Sequence, residues 1–295
     1  MSDGYAVFFG LATIITSLIA TLFLVVTVVA MIRSRLHRDK SAYRIMISQN
    51  LSDILQLIPH FFGGCALLFN KELDLTLNLI LGHIMYCSWN VMIFLYLLLA
   101  FDRFCMLNFT RGEIRPACAN AQILFCWILG AITAYLFYFC NHNLIFVVSA
   151  LCWTTVSQAD STLYDFLYRS QYAELILTFI LSCFIVLSAG LKRYKYVKAK
   201  RLKNKEQQIL AQNVLSFMST VGNMYAWNYQ NSAKNQLLFA AIINLHWVAI
   251  CGMTPFISFV MNSEIRAAVL SFLGRKPVSN QSVTVVSRFV TPTYG

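Results

Sequence analysis

The sequence predicts an all-α membrane protein: a bundle of seven transmembrane helices, N-terminus outside, with a short amphipathic helix at the inner interface. Three observations carry that prediction. First, 58% of the 295 residues are hydrophobic and only 12% are charged, against roughly 45–50% and about 25% in soluble domains. Second, seven stretches satisfy the roughly 20 apolar residues that a bilayer core about 30 Å thick demands of a helix. Third, of the 23 basic residues all but Lys71, Arg169 and Lys234 fall on one side of those stretches. The first observation sets aside soluble enzymes, disordered chains, coiled coils and nucleic-acid binders. Mean hydropathy, +0.63, agrees.

The spans lie at about residues 5–32, 42–69, 77–101, 118–139, 172–191, 209–227 and 236–260. The first run is too long for a cleavable signal and no basic residue precedes Arg33, so it reads as a signal anchor and first span. The second carries Asn50, Asp53 and Gln56. The third, fourth, fifth and seventh are plain apolar runs. The sixth is the weakest, interrupted by Gln212, Asn213, Ser216, Ser219, Thr220 and Asn223. Basic residues cluster at Arg33–Arg44, at Arg103–Arg115, at Lys192–Lys205 and beyond the last span. Cytoplasmic loops hold the excess of Lys and Arg. That side is therefore inside, and the C-terminus lies there too.

Topology then disposes of several local signals. Asn50-Leu-Ser, Asn108-Phe-Thr and Asn280-Gln-Ser have the glycosylation pattern, but one lies in a span and two face the cytoplasm. The run Lys192–Lys205 is a membrane-proximal segment suited to anionic lipid rather than nucleic acid. The nine cysteines follow no metal spacing, and no cofactor or metal site is expected. After Asn262, the residues Ile265, Val269, Phe272 and Leu273 share one helical face, as in a helix lying in the interface. Residues 1–273 form one membrane domain; 274–295 read as a polar cytoplasmic tail.

Charges inside spans are costly and become functional hypotheses. Asp53 sits mid-depth in span two, and Asp102-Arg103 closes span three. Trp127 lies midway in span four, and Thr254-Pro255-Phe-Ile-Ser258 ends span seven, followed by Asn262-Ser-Glu264. In order and spacing these resemble the rhodopsin-like G-protein-coupled receptors. Within them, Tyr43-Arg-Ile-Met46, Asp53-Ile-Leu-Gln-Leu and Gly63-Gly64 resemble the nematode serpentine chemoreceptors, class T or class X.

That resemblance implies a chemosensory receptor that binds a small chemical cue in its outer half and activates a heterotrimeric G protein. It implies a multi-pass protein of the plasma membrane, in the sensory cilium of a chemosensory neuron, surrounded by lipid and compatible with dimerisation. Arg103 would meet the G protein, held at rest by Asp102 with Glu206 as a second restraint; Pro255 would kink the last span, and Asp53 would belong to the switch. The chain departs from the family at Thr254, Ser258 and Met92, so a sodium ion at Asp53 is not expected. The family's bridge from span three to the second outer loop falls near Asn78, which is no cysteine; Cys65 with Cys152 or Cys140 is the candidate replacement.

Aromatic and polar residues on the outer halves are the candidate ligand contacts: His83, Tyr86, Trp89 and Asn90 on span three, Tyr172 and Glu174 on span five, Tyr225 and Trp227 on span six, and Asn244, His246 and Trp247 on span seven. Such a lining suits a small volatile, lipid-like or ascaroside-like cue. A neuropeptide or other orphan receptor is the alternative within this class. A ligand-gated channel would place the N-terminus inside, against the charge bias. A retinal protein needs a lysine midway in span seven, which has none, and a membrane hydrolase or transporter lacks its motifs.

Overall fold

The computed structural model describes residues 3–108, 116–140, 142–157, 162–195, 200–229 and 235–275. The helices are α1 (Asp3–Arg33), α2 (Leu36–Asp39), α3 (Ser41–Leu68), α4 (Leu75–Asn108), α5 (Pro116–Phe139), α6 (Thr162–Lys195), α7 (Lys200–Tyr229), α8 (Gln236–Met261) and α9 (Ser263–Phe272). Seven of them are the expected spans, α2 is a single turn in the first inner connection, and α9 is the expected interfacial helix. Between α5 and α6 stands an antiparallel hairpin, β1 (His142–Val147) and β2 (Cys152–Ser157), which the sequence reading did not anticipate.

The side chains are distributed as lipid dictates. On α1 the apolar Phe8, Ile15, Ile19 and Leu22 are exposed, while Thr13, Ser17 and Thr27 are buried. In a bilayer an exposed apolar face costs nothing, and small residues let helices approach closely. The α1–α3 crossing shows why. A Cβ on Gly10 would stand 2.9 Å from the Gly64 carbonyl oxygen, and one on Gly64 2.9 Å from Ile14. α4 is the most enclosed helix, with Met85, Met92, Ile93, Tyr96 and Leu99 wholly buried along its length.

Five of the described helices, α1, α3, α4, α5 and α8, are long and apolar enough by themselves to cross a membrane. α6 and α7 complete the bundle and extend well beyond the apolar stretches that mark them, starting about ten residues early at Thr162 and Lys200. The ruler of apolar residues measures only the part in hydrocarbon; helix continues through the headgroups. Three of the interruptions in span six are explained by phase: Ser216, Thr220 and Asn223 are buried inside the bundle, while Leu215, Met218 and Tyr225 face out; the side chains of Gln212 and Asn213 lie outside the described residues.

Helix ends are set by side chains. Asp74 accepts hydrogen bonds from the Thr76 and Leu77 amides at 3.0 and 3.2 Å, starting α4. Asn262 accepts from the Glu264 and Ile265 amides at 3.0 and 3.3 Å. That N-cap separates α8 from α9. Asn50 is buried in α3, which closes that sequon to glycosylation; Asn280 and the tail 276–295 lie outside the described residues.

Candidate functional site

At the outer end the helices enclose a cavity of about 350 Å³, within the roughly 300–1,000 Å³ of ligand sites. α4 supplies Tyr86 and Trp89, one turn apart on the inward face. α5 supplies Phe137, whose ring stacks on Tyr86 with centroids 4.0 Å apart. α6 supplies Gln171 and Tyr172. α7 supplies Asn223, Met224, Trp227 and Asn228, and α8 supplies Trp247. The hairpin closes the remainder with Leu144, Trp153, Thr154 and Thr155.

Hydrogen bonds fix several of these side chains before any ligand arrives. The Gln171 amide donates to the Tyr86 hydroxyl at 3.1 Å and to the Asn90 carbonyl oxygen at 3.0 Å. The Asn228 amide donates to the Tyr172 hydroxyl, tying α7 to α6. Trp247 Nε1 donates to Gln56 Oε1 at 2.9 Å, and its ring meets those of Trp89, His60 and Trp227 edge to face. Aromatic pairs in such T-shaped contact are favourable beyond the area they bury.

The hairpin is held over the cavity by its edge. A strand edge presents unpaired N–H and C=O groups. Here α4 reads them. Asn78 Nδ2 donates to the Phe146 carbonyl at 2.9 Å, and the Phe146 amide donates to Asn78 Oδ1 at 2.8 Å. One helical turn further on, Gly82 leaves room for the Leu144 carbonyl, which a Cβ would strike. The Val148 amide donates to Glu72 Oε1 at 2.9 Å. The expected Cys65–Cys152 bridge is not formed: Cys65 and Cys140 carry free thiols. Gly63 meets the Phe146 ring, and Cys65, two residues on, is rotated about 200° around α3 away from the hairpin.

Below the cavity lies a buried polar layer. Gln56 donates to the Ser52 carbonyl at 3.5 Å and reaches Met92 Sδ at 3.8 Å. Asp53 is 1% exposed and neither carboxyl oxygen has a hydrogen-bond partner among the described residues. Tyr96 of α4, Thr220 of α7 and Thr254 of α8 are all buried in this part of the bundle.

At the inner end Arg103 Nε donates to Asp102 Oδ2 at 3.0 Å, with a second bond from its guanidinium to the same oxygen. Ser41 donates to the other Asp102 oxygen at 2.5 Å. Arg103 and Asp102 are 3% and 0% exposed, so the charge is neutralised in place rather than snorkelled to water. Beside them the Tyr43 hydroxyl donates to Glu264 at 2.5 Å and Lys40 pairs with the same carboxylate at 3.1 Å. Trp127 Nε1 donates to Ser48 Oγ at 2.8 Å, binding α5 to α3.

The family model described as serpentine type 7TM GPCR chemoreceptor Srt matches residues 3–282. The chain belongs to this family. It is therefore a G-protein-coupled chemoreceptor with a seven-helix membrane fold. Among solved structures it is similar to squid rhodopsin, with a TM-score of 0.75, 13% identity, and 93% of this chain and 87% of that one covered. At that identity the likeness shows the fold alone. No curated protein matches the chain in sequence.

In this Srt receptor the expected ligand residues divide. Tyr86 and Trp247 line the cavity, as do Trp89, Tyr172 and Trp227. Asn90 stands one layer behind, bonded to Gln171. His83 packs instead on Tyr138 of α5, with Nδ1 2.5 Å from the Leu79 carbonyl. Asn244 is buried and Glu174 half-buried, and neither is among the residues that line the cavity. Tyr225 is 72% exposed, because the inward stripe of α7 runs through 223, 224, 227 and 228. His246 supports the site indirectly, with Nδ1 3.1 Å from Asn223 Oδ1. Sequence reasoning missed Phe137, Gln171, Asn223, Asn228 and the hairpin residues. Residues 142–147 read His-Asn-Leu-Ile-Phe-Val and do not alternate; the available signal for the hairpin was the β-branched and aromatic content of 144–148 and 153–156, two short runs separated by a few residues. Pro255 lies inside α8 as expected. Glu206 falls on α7, with its side chain outside the described residues.

Proposed function

We propose that this receptor detects a small, mainly apolar molecule in the outer cavity and signals through the Asp102–Arg103 pair at the opposite end. The observation that carries the reading is the pairing of two features on one helix. α4 places Tyr86 and Trp89 in an aromatic cavity and, four turns further inward, buries Arg103 against Asp102. A buried ion pair of this kind is stable only while both partners stay together. It therefore has a second state in which Arg103 is released to a G protein, and a cue that prefers that state shifts the balance. The reading places the receptor in the plasma membrane of a chemosensory cilium, its apolar outer faces in lipid. Cavity and ion pair are complete within one chain, so no dimer is needed.

The test is a G-protein coupling assay in cells, with a pool of volatile and lipid-like cues, comparing wild type and Arg103→Ala at matched surface expression. The expected outcome is a cue response in wild type that the substitution abolishes. A response that survives both the substitution and G-protein block would refute this assignment.

A further inference from the structure

Asp102 is held from two sides. Its Oδ2 accepts both bonds from Arg103, and its Oδ1 accepts from the Ser41 hydroxyl at 2.5 Å. Ser41 is 3% exposed and Asp102 0%, so water is no substitute for that hydroxyl. The Ser41 bond fixes how the carboxylate is turned, and hence the oxygen that it offers to Arg103. A buried carboxylate with one oxygen unmet is held less firmly and gives up the guanidinium more easily.

Ser41 is also the first residue of α3. Amides in the first turn of a helix have no partner inside the helix and depend on a cap. Lys40 precedes α3 with extended backbone, and its side chain makes no cap bond. The order of this turn therefore comes from other helices. On the side of α9, Tyr43 donates to Glu264 at 2.5 Å and Lys40 pairs with the same oxygen at 3.1 Å. Asn262 Nδ2 donates to the Tyr43 hydroxyl at 3.3 Å. Positions 40 and 43 are three residues apart and share a helical face, whereas 41 is turned about 200° from 43. The turn is thus a wedge, with Glu264 on one side and Asp102 on the other. Packing seats α9 there as well: Ile265, Ala268 and Val269 are buried in one cluster with Met31, Ala42 and Tyr43.

We infer that the first turn of α3 couples α9 to the signalling pair: Ser41 positions Asp102 for Arg103, and Glu264 holds the turn that carries Ser41, so that a docked α9 keeps the receptor at rest. This rests on the Asp102–Arg103 pair being the switch. Ser41 acts through Asp102 and Glu264 acts through Ser41; both are positioning residues.

The experiment uses the full-length receptor at matched surface expression, with no cue added, and reads basal nucleotide exchange on heterotrimers of each Gα class. Asp102→Asn, which weakens the pair itself, sets the level of a released receptor. Ser41→Ala should raise basal exchange by about tenfold, the ordinary effect of one hydrogen bond to a charged group. Ser41→Thr, which keeps a hydroxyl, should bring it back toward the wild-type level. On Asp102→Asn, Ser41→Ala should add less than about twofold, because the pair it supports is already weakened. Glu264→Ala should raise basal exchange by about threefold, a smaller factor because it acts through one more contact, and should add nothing once Ser41 is alanine. Wild-type basal exchange in Ser41→Ala, beside a rise in Asp102→Asn, overturns the role of Ser41 and leaves the switch reading standing. Full addition of Glu264→Ala to Ser41→Ala overturns the link to α9. No rise in Asp102→Asn overturns the switch reading, and this inference with it.

Discussion

Asn78→Ala should free the outer hairpin. The side chain of Asn78 makes two hydrogen bonds to one backbone residue, Phe146, at 2.9 and 2.8 Å, and it is 5% exposed. Phe146 is 1% exposed, so neither of its backbone groups has water as an alternative. Stranding a buried donor or acceptor costs about 1–3 kcal/mol. Two stranded groups make the docked hairpin worse by on the order of 2–5 kcal/mol. At about 1.4 kcal/mol per factor of ten, the open hairpin becomes about 30-fold more populated at the least. Hydrogen–deuterium exchange reads this directly: the amides of 142–157 should exchange faster by that factor, while those of α3 and α4 change little. Asn78→Asp keeps the acceptor for the Phe146 amide but, as a carboxylate, turns its second oxygen against the Phe146 carbonyl, so it too should speed hairpin exchange. Dithiothreitol should leave wild-type exchange unchanged, because Cys65 and Cys140 are free thiols. Unchanged hairpin exchange in Asn78→Ala, or a large effect of reductant on wild type, would refute the claim that this amide holds the loop.

Further outcomes follow from contacts on the same scale. Gly82→Val puts a branched side chain onto the Leu144 backbone carbonyl, which cannot move aside; a cost of about 1–3 kcal/mol should appear as faster hairpin exchange and weaker cue response at equal surface expression. Gly64→Leu should fail more broadly, since its Cβ already meets Ile14 and the Gly10 carbonyl at 2.9 and 3.1 Å; lower thermal stability in nanodiscs is the readout. Tyr43→Phe removes the 2.5 Å bond to Glu264, an effect of about 1.5–3 kcal/mol for a hydrogen bond to a charged group. A spin-label pair between α3 and α9 should then show a broader distance distribution, whereas the half-exposed Lys40–Glu264 pair should contribute no more than about 1 kcal/mol.

What the sequence makes legible here is whatever lipid itself imposes. Span number and the short last helix follow from hydrocarbon thickness and from apolar periodicity, and both reappear in α1 and α3–α9, while the expected sidedness follows from the distribution of Lys and Arg. The Asp102–Arg103 pair was legible because a charge in a span has few explanations. The outer site was less so, and the reason is rotational. Tyr225 and Trp227 are equally aromatic and equally near the outer end of α7, yet Tyr225 is 72% exposed and Trp227 lines the cavity. A two-residue step turns a helix by about 200°, and in a membrane both faces tolerate aromatics, so hydrophobic patterning supplies no phase. The polar residues supply it instead. Ser216, Thr220 and Asn223 recur at helical spacing and are buried together, and extending that stripe points to 224, 227 and 228. The residues that weakened span six as a span are the ones that orient it.

The same inversion explains the lost disulfide. Asn78 stands where a cysteine was sought, and its absence suggested that another thiol pair must do the work. A carboxamide carries a donor and an acceptor in the geometry of a peptide group. It can therefore pair with a strand edge as another strand would, and Phe146 presents both groups to it. The covalent link is dispensable because the loop is a hairpin: its own cross-strand pairs order residues 142–157, and what remains is to dock a rigid body, which one bidentate amide, the Glu72 contact and the space left by Gly82 accomplish. A floppy loop would have needed the covalent bond. Fixing the hairpin by polar contacts also leaves its position responsive to what fills the cavity beneath it, since Leu144, Trp153, Thr154 and Thr155 are at once lining residues and parts of the docked hairpin. A ligand that displaces the hairpin loads the Asn78 pair directly, so the strength of that pair should enter the affinity of every cue, and Asn78→Asp should weaken binding across chemically unlike ligands by a common factor.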